Sequence, residues 1–127
     1  MSRLLIIGLM FSVLYVQGCG TARAEGAEVY GYNVQRLANA IYHAEGGAKT
    51  RHPYGILTKY KTTTPRQACI NTIVNQGKRH AGHDCGKEYL VCLRDRYCPI
   101  GAKNDPTGLN HSWINNVKQI YASLIGQ

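Results

Sequence analysis

Apolar positions recur at helical spacing in four parts of the chain, separated by long polar or glycine-rich intervals. Leu37, Ala40, Ile41 and Ala44 mark the first helix, and Gly46-Gly47 is its stop, because glycine tolerates the left-handed conformation common just past a helix end. The second has a sharper start. Thr64-Pro65-Arg66-Gln67 joins an N-cap, a first-turn proline and a glutamine three residues after the cap. Ala68, Ile70, Ile73 and Val74 give that helix its apolar side, and Gly77 is its expected end. A third helix is expected from about Lys87 to Tyr97, closed by Pro99. The last, capped by Asn110 or Ser112, carries Trp113, Val117, Ile120, Tyr121 and Leu124 on one face. Between them, 51–64 is expected as loop or short irregular strand, and 78–86 and 100–109 as loops. The pattern predicts a small all-α or helix-dominated domain with long loops.

One apolar run has a different character. Leu4 to Val16 follows a short basic start and holds 13 residues without a charge. A bilayer span takes ~20, so this run has the size of the apolar part of a secretory signal. Two processing sites compete: Val16-Gln17-Gly18-Cys19 resembles a bacterial lipoprotein box ending on a lipidated Cys19, and Ala22-Arg23-Ala24 suits an ordinary signal peptidase. The expected organisation is a signal peptide at 1–18, a linker at 19–33 and one folded domain at 34–127. The protein is then exported to the periplasm or cell envelope, lipid-anchored through Cys19 or secreted after cleavage at Ala24.

Cysteine and charge refine this picture. The chain of 127 residues has five cysteines, an odd count for an oxidising compartment. With Cys19 lipidated or removed, Cys69, Cys85, Cys92 and Cys98 suffice for two disulfides. A Cys69–Cys98 bridge closes a long loop and leaves Cys85–Cys92 as a local one, although four cysteines allow three pairings. The formal charge is +8, and +7 once Arg3 leaves with the signal. Such a balance favours a polyanionic partner, and export argues against nucleic acid.

The most conspicuous single residue is Glu45, in Ala40-Ile-Tyr-His-Ala-Glu-Gly-Gly. It closes an apolar stretch, and the next carboxylate downstream is Asp84. A helix C-terminus and apolar neighbours both disfavour an ionised carboxylate, so its pKa is expected to be raised. A raised carboxyl is what protonation of a glycosidic oxygen needs; ordinary hydrolases add a second carboxylate, here to be supplied by Asp84, Glu88, Asp95 or Asp105. The blander alternative is a solvated glutamate at a helix end.

Other constellations carry less. His80-Ala-Gly-His83-Asp84-Cys85 fits no standard zinc spacing, so no metal and no cofactor is expected. His43-Ala44-Glu45 matches half of a zinc-deaminase signature whose cysteine half is missing. A cysteine nucleophile needs a free thiol beside a histidine, against the expectation of paired cysteines. Nine tyrosines and one tryptophan offer surfaces for stacking on sugars, with Tyr54, Tyr60 and Tyr97 in or beside loops.

Taken together, Ala40 to Gly47, Pro53-Tyr54-Gly55-Ile56, Arg96-Tyr97-Cys98-Pro99 and Leu109-Asn110-x-x-Trp113 resemble small exported members of the lysozyme-like superfamily, nearest the soluble lytic transglycosylases and goose-type lysozymes. The resemblance spans about 34–122. It implies an α+β lysozyme-like fold in which Glu45 is the catalytic acid that ends the first helix. It further implies that Tyr54, Gly55 and Ile56 line a glycan cleft, and that Tyr97 faces Glu45. The chain departs in having Gly46 where the family has Ser, and Cys-Pro where it has Asn-Ala-Gly. The implied activity is cleavage of peptidoglycan between N-acetylmuramic acid and N-acetylglucosamine by one Glu acting as acid and then base, giving a 1,6-anhydro product. A hydrolytic lysozyme and a non-catalytic glycan-binding lipoprotein are the competing expectations. The implied partner is the glycan strand, met by a monomer.

Overall fold

The computed structural model describes residues 26–83, 85–97 and 109–126. The expected signal peptide, the lipidation site Cys19 and the alternative cleavage site at Ala24 lie outside these residues, as do Asp84, Cys98 and Asp105.

A two-stranded hairpin opens the described chain. Strand β1 (Glu28–Val29) pairs antiparallel with β2 (Tyr32–Asn33) in the register Glu28 to Asn33 and Val29 to Tyr32, around a turn with positive φ at Tyr30 and Gly31. Residues 28–33, expected as linker, are therefore ordered against the helices. Two-residue strands are too short to show an alternating pattern, and their order comes from contacts made elsewhere. The Tyr30 and Tyr32 rings lie 5.4 and 6.1 Å from the Tyr89 ring, and the Asn33 amide donates to the Tyr121 hydroxyl at 2.9 Å.

Asn33 then caps helix α1 (Val34–Ala44) by accepting from the Arg36 amide. Val34, Leu37, Ala38 and Ile41 are fully buried at helical spacing and form the centre of the core. Helix α2 (Pro65–Ala81) starts as its sequence predicts, with Thr64 Oγ1 accepting from the Gln67 amide at 3.1 Å. It does not stop at Gly77. That glycine is inside the helix because a Cβ there would come 2.6 Å from Cγ1 of Val29: its bare backbone is the seat for the hairpin. The helix runs one further turn to Ala81.

Helix α3 (Tyr89–Tyr97) begins two residues later than expected and is fastened to α2 by Tyr89, whose hydroxyl donates to the Ile73 carbonyl at 2.8 Å. The Cys85–Cys92 disulfide ties the preceding loop to it. Cys69, expected to bridge to Cys98, is a free thiol. It faces the core from α2, fully buried among apolar neighbours, where a reduced thiol packs as a small hydrophobe. A single 3-10 turn (Leu109–Ser112) leads into α4 (Trp113–Ser123), which packs along α1 and places Trp113 and Val117 in the core. The molecule is thus mainly helical, with one small hairpin. None of the described helices is long and apolar enough to cross a membrane.

Candidate active site

Glu45 is the C-cap of α1, its amide donating to the Ile41 carbonyl at 2.9 Å. Gly46 at φ 102° then breaks the helix, as the left-handed geometry of a stop requires. The chain passes through a 3-10 turn (Gly47–Lys49) and returns in a second (Pro53–Gly55). Two consecutive positive-φ residues, Tyr54 at 61° and Gly55 at 67°, fold that return back onto Glu45. A Cβ on Gly55 would come 2.9 Å from both Cδ and Oε2 of Glu45, so bare backbone lies directly against the carboxyl.

A left-handed non-glycine residue costs ~1–2 kcal/mol and persists only where its surroundings hold it. Tyr54 is held at three points. Its ring lies 5.0 Å from that of Tyr42, its hydroxyl accepts from Arg66 Nη1 at 3.1 Å, and its carbonyl accepts from the Tyr97 hydroxyl. Arg66 in turn donates to Asn39 Oδ1 at 2.6 Å and to Gln35 Oε1 at 2.5 Å, so a single guanidinium links α1, α2 and the Tyr54 turn.

The far wall comes from α4. Trp113 Nε1 donates to Glu45 Oε1 at 2.8 Å, and the Trp113 ring leans over Tyr97 at 5.9 Å. Glu45 is therefore gripped on Oε1 by an indole and bounded on Oε2 by the Gly55 backbone. Its carboxyl is pushed above the ordinary value by burial, and the Trp113 hydrogen bond opposes part of that rise. The side chain remains half-buried rather than enclosed, which leaves it open to a ligand.

Four of the residues singled out by sequence, Glu45, Tyr54, Gly55 and Tyr97, thus stand in one cluster. Ile56 packs against the core and lines an adjoining groove. Trp113 and Arg66 were not singled out as site residues, because one is a core position of α4 and the other part of a helix start. The available signal was that Trp113 is the one tryptophan, and a buried indole N–H finds a partner. Of the second carboxylates considered, Glu88 pairs with Lys118 at 3.8 Å, and Asp95 pairs with Lys87 and Arg94 at 3.4 and 2.9 Å. Cys69 is unsuited to nucleophilic attack: burial pushes its thiol up to about 11, with a Tyr97 hydrogen bond acting in the opposite direction. Among the described residues no three His, Cys, Asp or Glu side chains are grouped to hold a metal ion.

No family model, no curated protein and no solved structure matches the chain.

Proposed function

We propose that this protein is an exported peptidoglycan lytic transglycosylase with a lysozyme-like fold, and that Glu45 is its catalytic residue. The observation that carries the reading is the setting of Glu45: a half-buried carboxyl with a raised pKa, fixed by Trp113 on one oxygen and bounded by bare backbone at Gly55 on the other. The order of motifs along the chain supports it, since each of the four segments that resemble the family contributes to this cluster, through Glu45, Tyr54 with Gly55, Tyr97 and Trp113 in turn.

In this reading the protonated Glu45 gives its proton to the oxygen joining C1 of N-acetylmuramic acid to C4 of N-acetylglucosamine, and the C1–O bond breaks with both electrons going to that oxygen. The carboxylate left behind takes the proton of the muramic 6-hydroxyl as O6 bonds to C1. Glu45 is thereby regenerated, water is not consumed, and the products are a 1,6-anhydromuramic end and a free 4-hydroxyl. One carboxyl serves both steps, which accords with the ion pairs that occupy Glu88 and Asp95. Export, with a lipid on Cys19 as anchor, sets the protein beside its wall substrate, and a basic chain suits an anionic wall.

The test is digestion of purified peptidoglycan, with mass spectrometry of the released fragments. Anhydro-ended fragments support the reading. Reducing ends indicate a hydrolytic lysozyme instead, and wall binding without any cleavage indicates a glycan-binding protein.

A further inference from the structure

A groove of about 380 Å³ begins where the Glu45 wall ends: Pro53 and Ile56, on either side of Tyr54-Gly55, line it together with Arg51, His52, Leu57, Lys59 and Tyr60. Its chemistry is unusual in two respects. From Gly46 to His83 the chain contains no Asp or Glu, so Arg51 and Lys59 have no acid on their own segment, and neither takes part in an ion pair among the described residues. Leu57 and Tyr60, 63% and 52% exposed, line the same groove and are two of the four large apolar side chains that the described surface leaves open. Bases alone suit any polyanion. Bases interleaved with exposed apolar groups suit a short ligand with both carboxylates and methyl groups.

We infer that this groove binds the acidic peptide arm carried by the muramic sugar, with Arg51 and Lys59 taking its carboxylates and Leu57 and Tyr60 covering its alanyl methyls. This rests on the reading of Glu45 given above, which brings a muramic residue to the carboxyl and its lactyl-linked peptide within reach of the neighbouring groove. A phosphate-rich wall polymer is the weaker fit, because a bounded groove with exposed Leu and Tyr offers a strongly hydrated chain little.

Binding and cleavage are read separately. The binding probe is a synthetic peptide, L-alanyl-γ-D-glutamyl-L-lysyl-D-alanine, titrated into the protein by NMR, beside the same peptide with its carboxylates amidated. The expected result is that the acidic form binds, that amidation weakens it by about tenfold or more, and that Arg51→Glu with Lys59→Glu does the same while Glu45→Gln leaves it unchanged. Both basic residues are exposed, so charge reversal leaves the core intact. Absence of peptide binding, equal binding of the amidated peptide, or unchanged binding by the charge-reversed variant overturns the inference. Displacement of the peptide by a teichoic-type polyphosphate at equal charge concentration also overturns it, in favour of a non-specific anion surface. Glycan strands stripped of peptide by an amidase separate the two ideas: if they are cleaved while the peptide fails to bind, this inference falls alone. If neither stripped nor intact strands are cleaved, the reading of Glu45 falls.

Discussion

Trp113 Nε1 and Glu45 Oε1, separated by 68 residues of sequence, meet in a 2.8 Å hydrogen bond that joins the start of α4 to the end of α1. The bond fixes Oε1 as the engaged carboxyl oxygen, and in the proposed mechanism Oε2, beside the Gly55 backbone, carries the proton. The bond also restrains the pKa rise that burial produces. Replacing Trp113 by Phe keeps an aromatic ring in the core and removes the donor. The carboxyl then stays protonated to higher pH, so the basic limb of the pH–rate profile moves upward. The maximal rate falls roughly tenfold or more, in line with the loss of a hydrogen bond to an ionisable group. A pH–rate series on both proteins checks the direction.

Gly55 is the tightest position in the cluster. Alanine there meets two penalties at once: a left-handed φ of 67° and a Cβ 2.9 Å from the Glu45 carboxyl. The backbone penalty alone is ~1–2 kcal/mol. Because the clash falls on the carboxyl itself, activity is expected to drop by about 100-fold, well beyond what the stability loss explains. Thermal unfolding and turnover measured on one preparation separate the two effects.

Arg66 acts at a distance from the carboxyl, through Tyr54. Arg66→Ala removes the donor that the Tyr54 hydroxyl, Gln35 and Asn39 share, and loosens the turn that carries Gly55. As a positioning residue it is expected to lower kcat by about tenfold while changing KM little. Arg66→Lys restores only part of this, because one ammonium cannot reproduce the guanidinium fork. A change in KM of the same size as that in kcat would contradict this role.

Much of the framework was legible in the sequence. The helix start at Thr64 and the helix end at Glu45 were readable because each is written in local chemistry, a hydroxyl facing an amide in one case and a glycine at positive φ in the other. Gly77 misled because a glycine inside a helix looks the same as one that ends it. Only the position of Val29, 48 residues away, tells them apart. The Arg66 network and the Trp113 bond were equally hidden, since both join segments that sequence spacing does not relate. Cys69 is the same lesson for cysteine: its burial, rather than the count of cysteines, accompanies its free thiol.

That account of Gly77 has its own consequence. Alanine is the better helix former by ~1 kcal/mol, so on propensity alone Gly77→Ala would stabilise α2. Its Cβ at 2.6 Å from Val29 outweighs this, and a net loss of ~1–3 kcal/mol is expected, as for other overpacked sites. Val29→Ala in the same chain should recover part of the loss, which denaturant unfolding of the single and double variants measures.

The central claim is that Glu45 carries the proton, and Glu45→Gln tests it most directly. Burial raises the folded-state pKa above the ordinary 4.5, so the unfolded chain releases this proton at lower pH than the folded one. The wild-type protein therefore loses stability from this group as pH rises from 4.5 through the folded-state value. Glutamine avoids that loss: the variant should match wild type in acid and be the more stable at neutral pH. On purified peptidoglycan it should release anhydro-ended fragments at least ~100-fold more slowly than wild type. A stable Glu45→Gln protein that still cleaves peptidoglycan at the wild-type rate would contradict the claim.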